Sequence, residues 1–130
     1  MSTTYTVDRA PLADHPDLEA VTLSSSKGLS VVFVPGAGMV GMSLTLDGSE
    51  LLGMREGLSA YLASGKTFGI PLLAPWANRL EASSFDGVEL VTEGTAGVHL
   101  DANGLPIHGL LAGCPDWNVV RCEAVDSGVE

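Results

Sequence analysis

The sequence predicts an all-β protein, an antiparallel β-sandwich of short strands joined by tight turns. Short apolar stretches with a period of two residues, typical of half-buried strands, recur along the chain from Glu19 onward. Glycine contributes 16 of the 130 residues, which favours turns over long helices because a glycine in a helix interior lowers stability by about 1 kcal/mol. Asp-Gly pairs follow two of the apolar stretches and are typical of hairpin turns. A chain of this length predicts a single domain.

The amino-terminal segment, residues 1–17, is polar and contains Pro11 and Pro16. Polar termini that bury no apolar surface are commonly mobile. We therefore expect residues 1–17 to be a mobile lead-in and residues 18–130 to form the domain.

Three consecutive stretches predict the first strands. "EAVTLSS" alternates, "LSVVFVP" is rich in β-branched residues, and "VGMSLTLDG" places Met42, Leu44 and Leu46 on one face. Asp47-Gly48 then predicts a hairpin turn into "SELLGM". Consecutive strands with such short connections favour antiparallel pairing over a βαβ sheet.

The second half of the chain repeats this pattern less densely. "SSFDGVELVT" predicts another hairpin with its turn at Asp86-Gly87, and "WNVVRCEAV", residues 117–125, predicts a last strand. A short helix is expected within "REGLSAYLAS", which Gly57 and Gly65 bracket.

Gly36, Gly38 and Gly41 have the G-x-G-x-x-G spacing of a dinucleotide-binding loop and follow an apolar run. That function requires a helix to begin at the third glycine, so that its amino terminus meets a pyrophosphate. The residues that follow alternate with a period of two and soon reach Asp47-Gly48, which indicates a strand. We therefore do not expect nucleotide binding and interpret the glycines as a strand connection.

The formal charge is −10, from 16 acidic and 6 basic residues. This field repels nucleic acid and anionic membrane surfaces over a Debye length of about 8 Å, whereas a neutral ligand is little affected. The chain has no apolar signal region and no apolar run of about 18 residues. We expect a soluble, cytoplasmic protein that binds neither nucleic acid nor membrane, with Cys114 and Cys122 as reduced structural thiols.

The sequence contains three histidines, His15, His99 and His108. His15 precedes Pro16 in the polar segment and is expected to be solvated. His99 with His108 and Asp101 makes only a weak metal-ligand set, so we interpret His99 as a surface residue and expect no metal. His108 lies in "NGLPIHG", whose turn residues could hold an imidazole at the mouth of a cleft or form an ordinary loop.

Arg79 follows the proline-rich segment "GIPLLAPWAN" and lies near Trp76. A guanidinium is always charged and needs partners that accept hydrogen bonds. A structural carboxylate such as Glu81 and an oxygen-rich ligand both fit. The flat face of Trp76 could support the C–H side of a sugar ring.

Four segments in this order, "LDGSELLG", "GIPLLAPWANRL", "SSFDGVEL" and "NGLPIHG", make the chain resemble the amino-terminal part of the aldose 1-epimerases, or galactose mutarotases. The resemblance spans roughly Val31–Gly113. It implies a supersandwich fold, and it implies that Asn78, Arg79 and His108 bind sugar, with Trp76 expected beside them from the stacking argument above. It further implies that His108 is the first of two active-site histidines, with His108 and Arg79 in the catalytic set and no cofactor.

The resemblance implies interconversion of the α and β anomers of a free hexose such as galactose or glucose by acid/base ring opening. In the family, the general acid is a second histidine and the base a glutamate, both downstream of the His-Gly motif, and this chain has no counterpart of either. We expect it to carry only the amino-terminal half of the site. One alternative is a non-catalytic carbohydrate-binding or structural remnant. Another, the related hexose-phosphate epimerases, requires more basic residues than Lys66 and Arg79.

A sandwich cut before its later strands exposes strand edges and an apolar face. The sequence therefore predicts self-association or pairing with a complementing segment.

Overall fold

The computed structural model describes residues 2–64, 66–90 and 97–130. One α-helix in this part of the chain, α1, covers Gly57–Ser64, and a short 3-10 turn covers Pro35–Ala37. The strands are β1 Tyr5–Pro11, β2 Glu19–Ser25, β3 Leu29–Val34, β4 Val40–Leu46, β5 Ser49–Glu50, β6 Ser84–Phe85, β7 Val88–Glu89, β8 Ala124–Val125 and β9 Gly128–Val129. The protein is thus mostly β, as predicted.

The central element is a five-stranded antiparallel sheet in the order β1-β2-β3-β4-β5. Each strand pairs with the next in sequence because the connections are short. The register between β3 and β4 shifts between Val32 and Phe33, which marks a bulge. The strands predicted from "EAVTLSS", "LSVVFVP" and "VGMSLTLDG" are confirmed.

The sheet begins earlier than the sequence analysis placed it. Residues 5–11, assigned there to a lead-in, form β1 and pair with β2 from Tyr5 opposite Ser25 to Pro11 opposite Glu19. Tyr5 and Val7 are half-buried while the residues between them are exposed, so the segment alternates although it is polar overall. Pro11 is tolerated because it ends an edge strand.

The strand pairs β4–β5 and β6–β7 are each connected by a turn at the Asp-Gly pair from which the hairpin was predicted. Asp47 and Gly48 have φ of 49° and 80°, and Asp86 and Gly87 have φ of 49° and 77°. Two successive residues at positive φ match the twist of an antiparallel hairpin. Both hairpins are confirmed, although residues 91–92 of the second candidate strand lie outside the described residues.

The strand predicted over residues 117–125 is mostly wrong. Only Ala124–Val125 forms a strand, which pairs with Gly128–Val129 in a terminal hairpin. The preceding residues are β-branched but meet no neighbouring strand, and Val120 is 91% exposed. Alternation predicts a strand only where a partner's main chain is available for pairing.

The main core cluster lies where the sheet meets α1. It contains Val34, Ala37, Val40, Tyr61 and Phe68. The Tyr61 ring lies 6.0 Å from that of Phe68, centroid to centroid, and its hydroxyl donates a 3.2 Å hydrogen bond to the carbonyl of Ala37. The predicted short helix is confirmed, and it packs through Tyr61.

The glycine-rich connection leads into a strand. Pro35–Ala37 forms the 3-10 turn, Gly38 adopts φ of 72°, and β4 begins at Val40. No helix begins at Gly41. The glycines thus form the connection between two strands that the sequence predicts.

Gly41 joins the sheet to the segment that leads to the site. It exchanges two 2.9 Å main-chain hydrogen bonds with Ile70. A Cβ at position 41 would lie 2.8 Å from the Cβ of Ile70, which requires glycine there.

In the described part of the chain, no helix is long and apolar enough to cross a membrane.

Candidate functional site

Main-chain pairing brings the Asn78-Arg79 and Ile107-His108 segments side by side. Arg79 and Ile107 form an antiparallel bridge. The amide of His108 donates to the carbonyl of Asn78 at 2.9 Å, and the amide of Leu80 donates to the carbonyl of Pro106 at 2.9 Å. Two motifs well separated in sequence therefore meet at one place.

A third segment, residues 99–101, pairs with the same histidine-containing segment. Leu100 and Pro106 form an antiparallel bridge. The amide of Ile107 donates to the carbonyl of His99 at 2.8 Å, and the amide of Asp101 donates to that of Leu105 at 2.9 Å. Residues 105–108 are thus flanked on one side by Asn78–Leu80 and on the other by His99–Asp101.

Positive φ angles shape the backbone around His108. Asn78 has φ of 60°, His108 of 68° and Gly109 of 73°. Asparagine tolerates this region well, and histidine adopts it less often. Gly109 is required on a second ground, because a Cβ there would lie 2.2 Å from the carbonyl oxygen of Ala74. The same oxygen accepts a 2.7 Å hydrogen bond from the amide of Leu110, which fixes His108 against the proline-rich segment.

The guanidinium of Arg79 pairs with the carboxylate of Asp101. The distance from Nε to Oδ2 is 2.8 Å, and the two side chains are 55% and 5% exposed. The contact is a close ion pair between a half-exposed guanidinium and a buried carboxylate. The structural partner of Arg79 is therefore Asp101 and not Glu81, the carboxylate considered from sequence.

Asp101 also closes the turn that leads to His108. Its Oδ1 accepts hydrogen bonds from the amides of Asn103 at 2.8 Å and Leu105 at 3.0 Å. These bonds lower the pKa of the Asp101 carboxyl below its ordinary value of 3.8, the Leu105 amide most, whereas burial opposes them. The charge of Arg79 acts in the same direction with less effect. Asp101 is consequently a stable anion at neutral pH.

A cleft of about 500 Å³ opens beside these segments. Its walls include His99, Asp101 and His108. The Nε2 of His99 lies 3.3 Å from the carbonyl oxygen of Ala112. The Nδ1 of His108 is buried and has no hydrogen-bond partner in the described part of the chain. Arg79 does not line the cleft itself and is connected to it through Asp101.

Trp76 does not face this cleft. Its side chain packs against Phe85 with ring centroids 5.0 Å apart and is 8% exposed. Its Nε1 is buried without a partner among the described residues. The indole is therefore placed as a packing residue under the Asn-Arg segment, not as an open face for a ligand.

Sequence reasoning missed the role of Asp101. Aspartate two residues before Asn-Gly is a turn signal, because its carboxylate can accept main-chain amides further along the chain. That signal was present in "DANGLP" but did not reveal the pairing with Arg79. Among the described residues, no group of three or more metal-ligating side chains is arranged to hold a metal ion.

The cleft offers groups for a hydroxyl-rich ligand. A carboxylate accepts hydrogen bonds, and an imidazole can donate or accept them. No protein-family model and no curated protein matches the chain.

Proposed function

We propose that the chain binds a free hexose such as galactose or glucose in the cleft beside His108, as the amino-terminal portion of an aldose 1-epimerase with a galactose-mutarotase-like β-sandwich. The observation that carries the proposal is the pairing of Arg79 with Ile107. This bridge places the Asn-Arg motif beside the His-Gly motif, the two on which the family resemblance rests, and His108 of the second motif lines a polar cleft.

The size and chemistry of the cleft suit a pyranose. A volume of about 500 Å³ lies within the usual range of small-molecule sites, roughly 300–1,000 Å³. Sugar hydroxyls both donate and accept hydrogen bonds. The imidazole of His108 and the carboxylate of Asp101 belong to residues of the cleft wall and are groups that make such bonds.

In this proposal, anomer exchange proceeds by proton transfers alone. A base takes the proton of the anomeric hydroxyl, and an acid protonates the ring oxygen, so that the ring opens and can close on either face. Histidine is the side chain that most often transfers protons in catalysis, and His108, with His99, lines the cleft. Arg79 supports the site because its positive charge stabilises the carboxylate of Asp101 as an anion. The reaction as written requires no metal and no cofactor.

A second function, sugar binding without catalysis, is favoured by one observation. Asp101 is the carboxylate on the cleft wall, and its pKa is lowered by main-chain amides and by Arg79. A carboxylate stabilised as an anion is a weak base. Catalysis then requires a base from outside the described cleft.

The experiment is polarimetry of freshly dissolved α-glucose and α-galactose, with binding measured in parallel by saturation-transfer NMR. Two variants report on the site: Arg79→Gln, and His108→Asn, which keeps a side chain tolerant of positive φ. His15→Gln is the control, because His15 contacts Ser59 and is not part of the cleft.

Faster mutarotation that is lost in Arg79→Gln and His108→Asn, but kept in His15→Gln, supports the epimerase. Binding without acceleration supports the second function. If neither sugar binds, both functions are wrong.

A further inference from the structure

Two cationic side chains, Arg55 and Lys66, line the same cleft as His108. The chain has only 6 basic residues and a formal charge of −10. In the described ranges, neither Arg55 nor Lys66 forms an ion pair. The cleft therefore carries two unpaired positive charges, although the protein as a whole is acidic.

Their position follows from α1. Arg55 lies just before the helix Gly57–Ser64 and Lys66 just after it. A helix of this length spans about 12 Å at 1.5 Å per residue. The two side chains thus approach the cleft from opposite ends of α1.

Hydroxyl groups accompany the cations. Ser64 and Thr67 line the cleft together with Arg55 and Lys66. The same four residues also line an adjoining hollow of about 170 Å³ against Tyr61 and Phe68. The cationic wall therefore continues from the histidine side of the cleft into a smaller recess.

Acidic groups around this wall do not cancel its charge. Asp101 faces the cleft but is paired with Arg79. Glu56 lines the smaller recess. Arg55, Lys66 and Arg79 together outnumber these two carboxylates, and the repulsion from distant acidic residues is screened beyond about 8 Å at physiological salt.

We propose that the natural ligand of the cleft is an anionic sugar, with its phosphate or carboxylate group held by Arg55 and Lys66 while its ring lies against His108 and Asp101. This inference rests on the proposed function and specifies its substrate class. A guanidinium offers a planar pair of donors to such an oxyanion, and an ammonium offers a compact charge. The hydroxyl of Thr67 can add a further donor, whereas that of Ser64 already donates to the carbonyl of Ala60.

The test compares dissociation constants of three probes measured by calorimetry: glucose, glucose 6-phosphate and glucuronate. The proteins are the wild type, Lys66→Gln, Arg55→Gln and the control Lys27→Gln, whose lysine lies in an exposed turn between β2 and β3. We expect at least one anionic sugar to bind about tenfold or more tightly than glucose. We expect Lys66→Gln to lower the affinity for the preferred anionic sugar about tenfold and to change the affinity for glucose much less. Arg55 has φ of 44°, so Lys66→Gln is the primary variant and circular dichroism checks the fold of both.

Preference for the phosphate identifies a sugar phosphate, and preference for glucuronate identifies a uronic acid; both support the proposal. Equal binding of all three probes, or an anionic preference that survives in both Lys66→Gln and Arg55→Gln, overturns it while leaving the proposed function intact. Competition by inorganic phosphate as strong as by glucose 6-phosphate also overturns it, because the sugar ring then contributes nothing. If no probe binds, the proposed function fails as well.

Discussion

The amide of His108 donates a 2.9 Å hydrogen bond to the carbonyl of Asn78, and both residues have positive φ, 68° and 60°. The backbone at His108 is therefore held by the main chain of the Asn-Arg segment. Residues held in this uncommon region cost free energy and persist where the surrounding structure fixes them. Here the bridge between Arg79 and Ile107 supplies that constraint.

Gly109→Ala should destabilise the protein and displace His108. The new methyl group would lie 2.2 Å from the carbonyl oxygen of Ala74, in addition to strain of about 1–3 kcal/mol at positive φ. Gly104→Ala is the matched control, since Gly104 has φ of 78° but no atom within 4 Å of the added Cβ. Urea unfolding should show the larger loss for Gly109→Ala, and equal losses would contradict the steric argument.

Asp101→Asn should make the free energy of unfolding depend less on pH in the acidic range. The pKa of Asp101 in the folded protein is lowered from 3.8. The ionised carboxylate therefore stabilises the fold at pH values above its pKa in the unfolded chain, and this stabilisation is lost as the pH falls through the lower pKa of the folded protein. The variant should be less stable than the wild type at pH 7, and the difference should shrink below about pH 4. Unfolding curves from pH 7 to pH 2 measure this, with the exposed Asp116→Asn as control. A difference that does not change with pH would assign Asp101 a role independent of its charge.

Arg79→Ala should raise the pKa of Asp101 only in part. The Leu105 amide is the largest cause of the lowered pKa, and the Asn103 amide also precedes Arg79 in effect. Both amides remain in the variant. Titration of the Asp101 side chain by carbon-detected NMR should therefore give a pKa between that of the wild type and the ordinary value. A full return to the ordinary value would show that the turn depends on Arg79.

Tyr61→Phe should lower stability by about 1 kcal/mol. The substitution keeps the ring packing against Phe68 but removes the hydrogen bond to the carbonyl of Ala37, and Tyr61 is only 3% exposed. Tyr5→Phe, in the edge strand β1, is the control and should change stability by less than about 0.5 kcal/mol. Thermal unfolding compares the two. An unchanged melting temperature in Tyr61→Phe would mean that the hydrogen bond contributes nothing net.

Local features of the sequence predicted the strands β2 to β4, the two Asp-Gly hairpins and the helix. Period-two alternation and paired residues at positive φ are properties of a few consecutive residues, so no knowledge of distant contacts is needed. The failures have the opposite cause. Strand β1 is polar and gains its order from pairing with β2, whereas residues 117–122 contain the apolar Val119 and Val120 but form no strand.

The members of the candidate site stay a prediction, and their pairing was not predicted from the sequence. Asn78, Arg79 and His108 were singled out from motifs, but the choice of Asp101 over Glu81 depends on the register between residues 99–101 and 105–107. Trp76 shows the same limit, because its contact with Phe85 decides whether the indole is open or covered. Arg55 and Lys66 join the cleft only through the placement of α1.

The contact of Gly41 with Ile70 bears on how the glycine spacing should be used in motif searches. The third glycine of the apparent fingerprint is required by its contact with a neighbouring side chain of the same protein. A match to this glycine spacing can therefore reflect tight packing instead of cofactor binding. Any larger residue at position 41 would act as a wedge between β4 and the segment around Ile70. Sequences that keep this glycine without a following helix are better grouped by that internal contact than with dinucleotide-binding proteins.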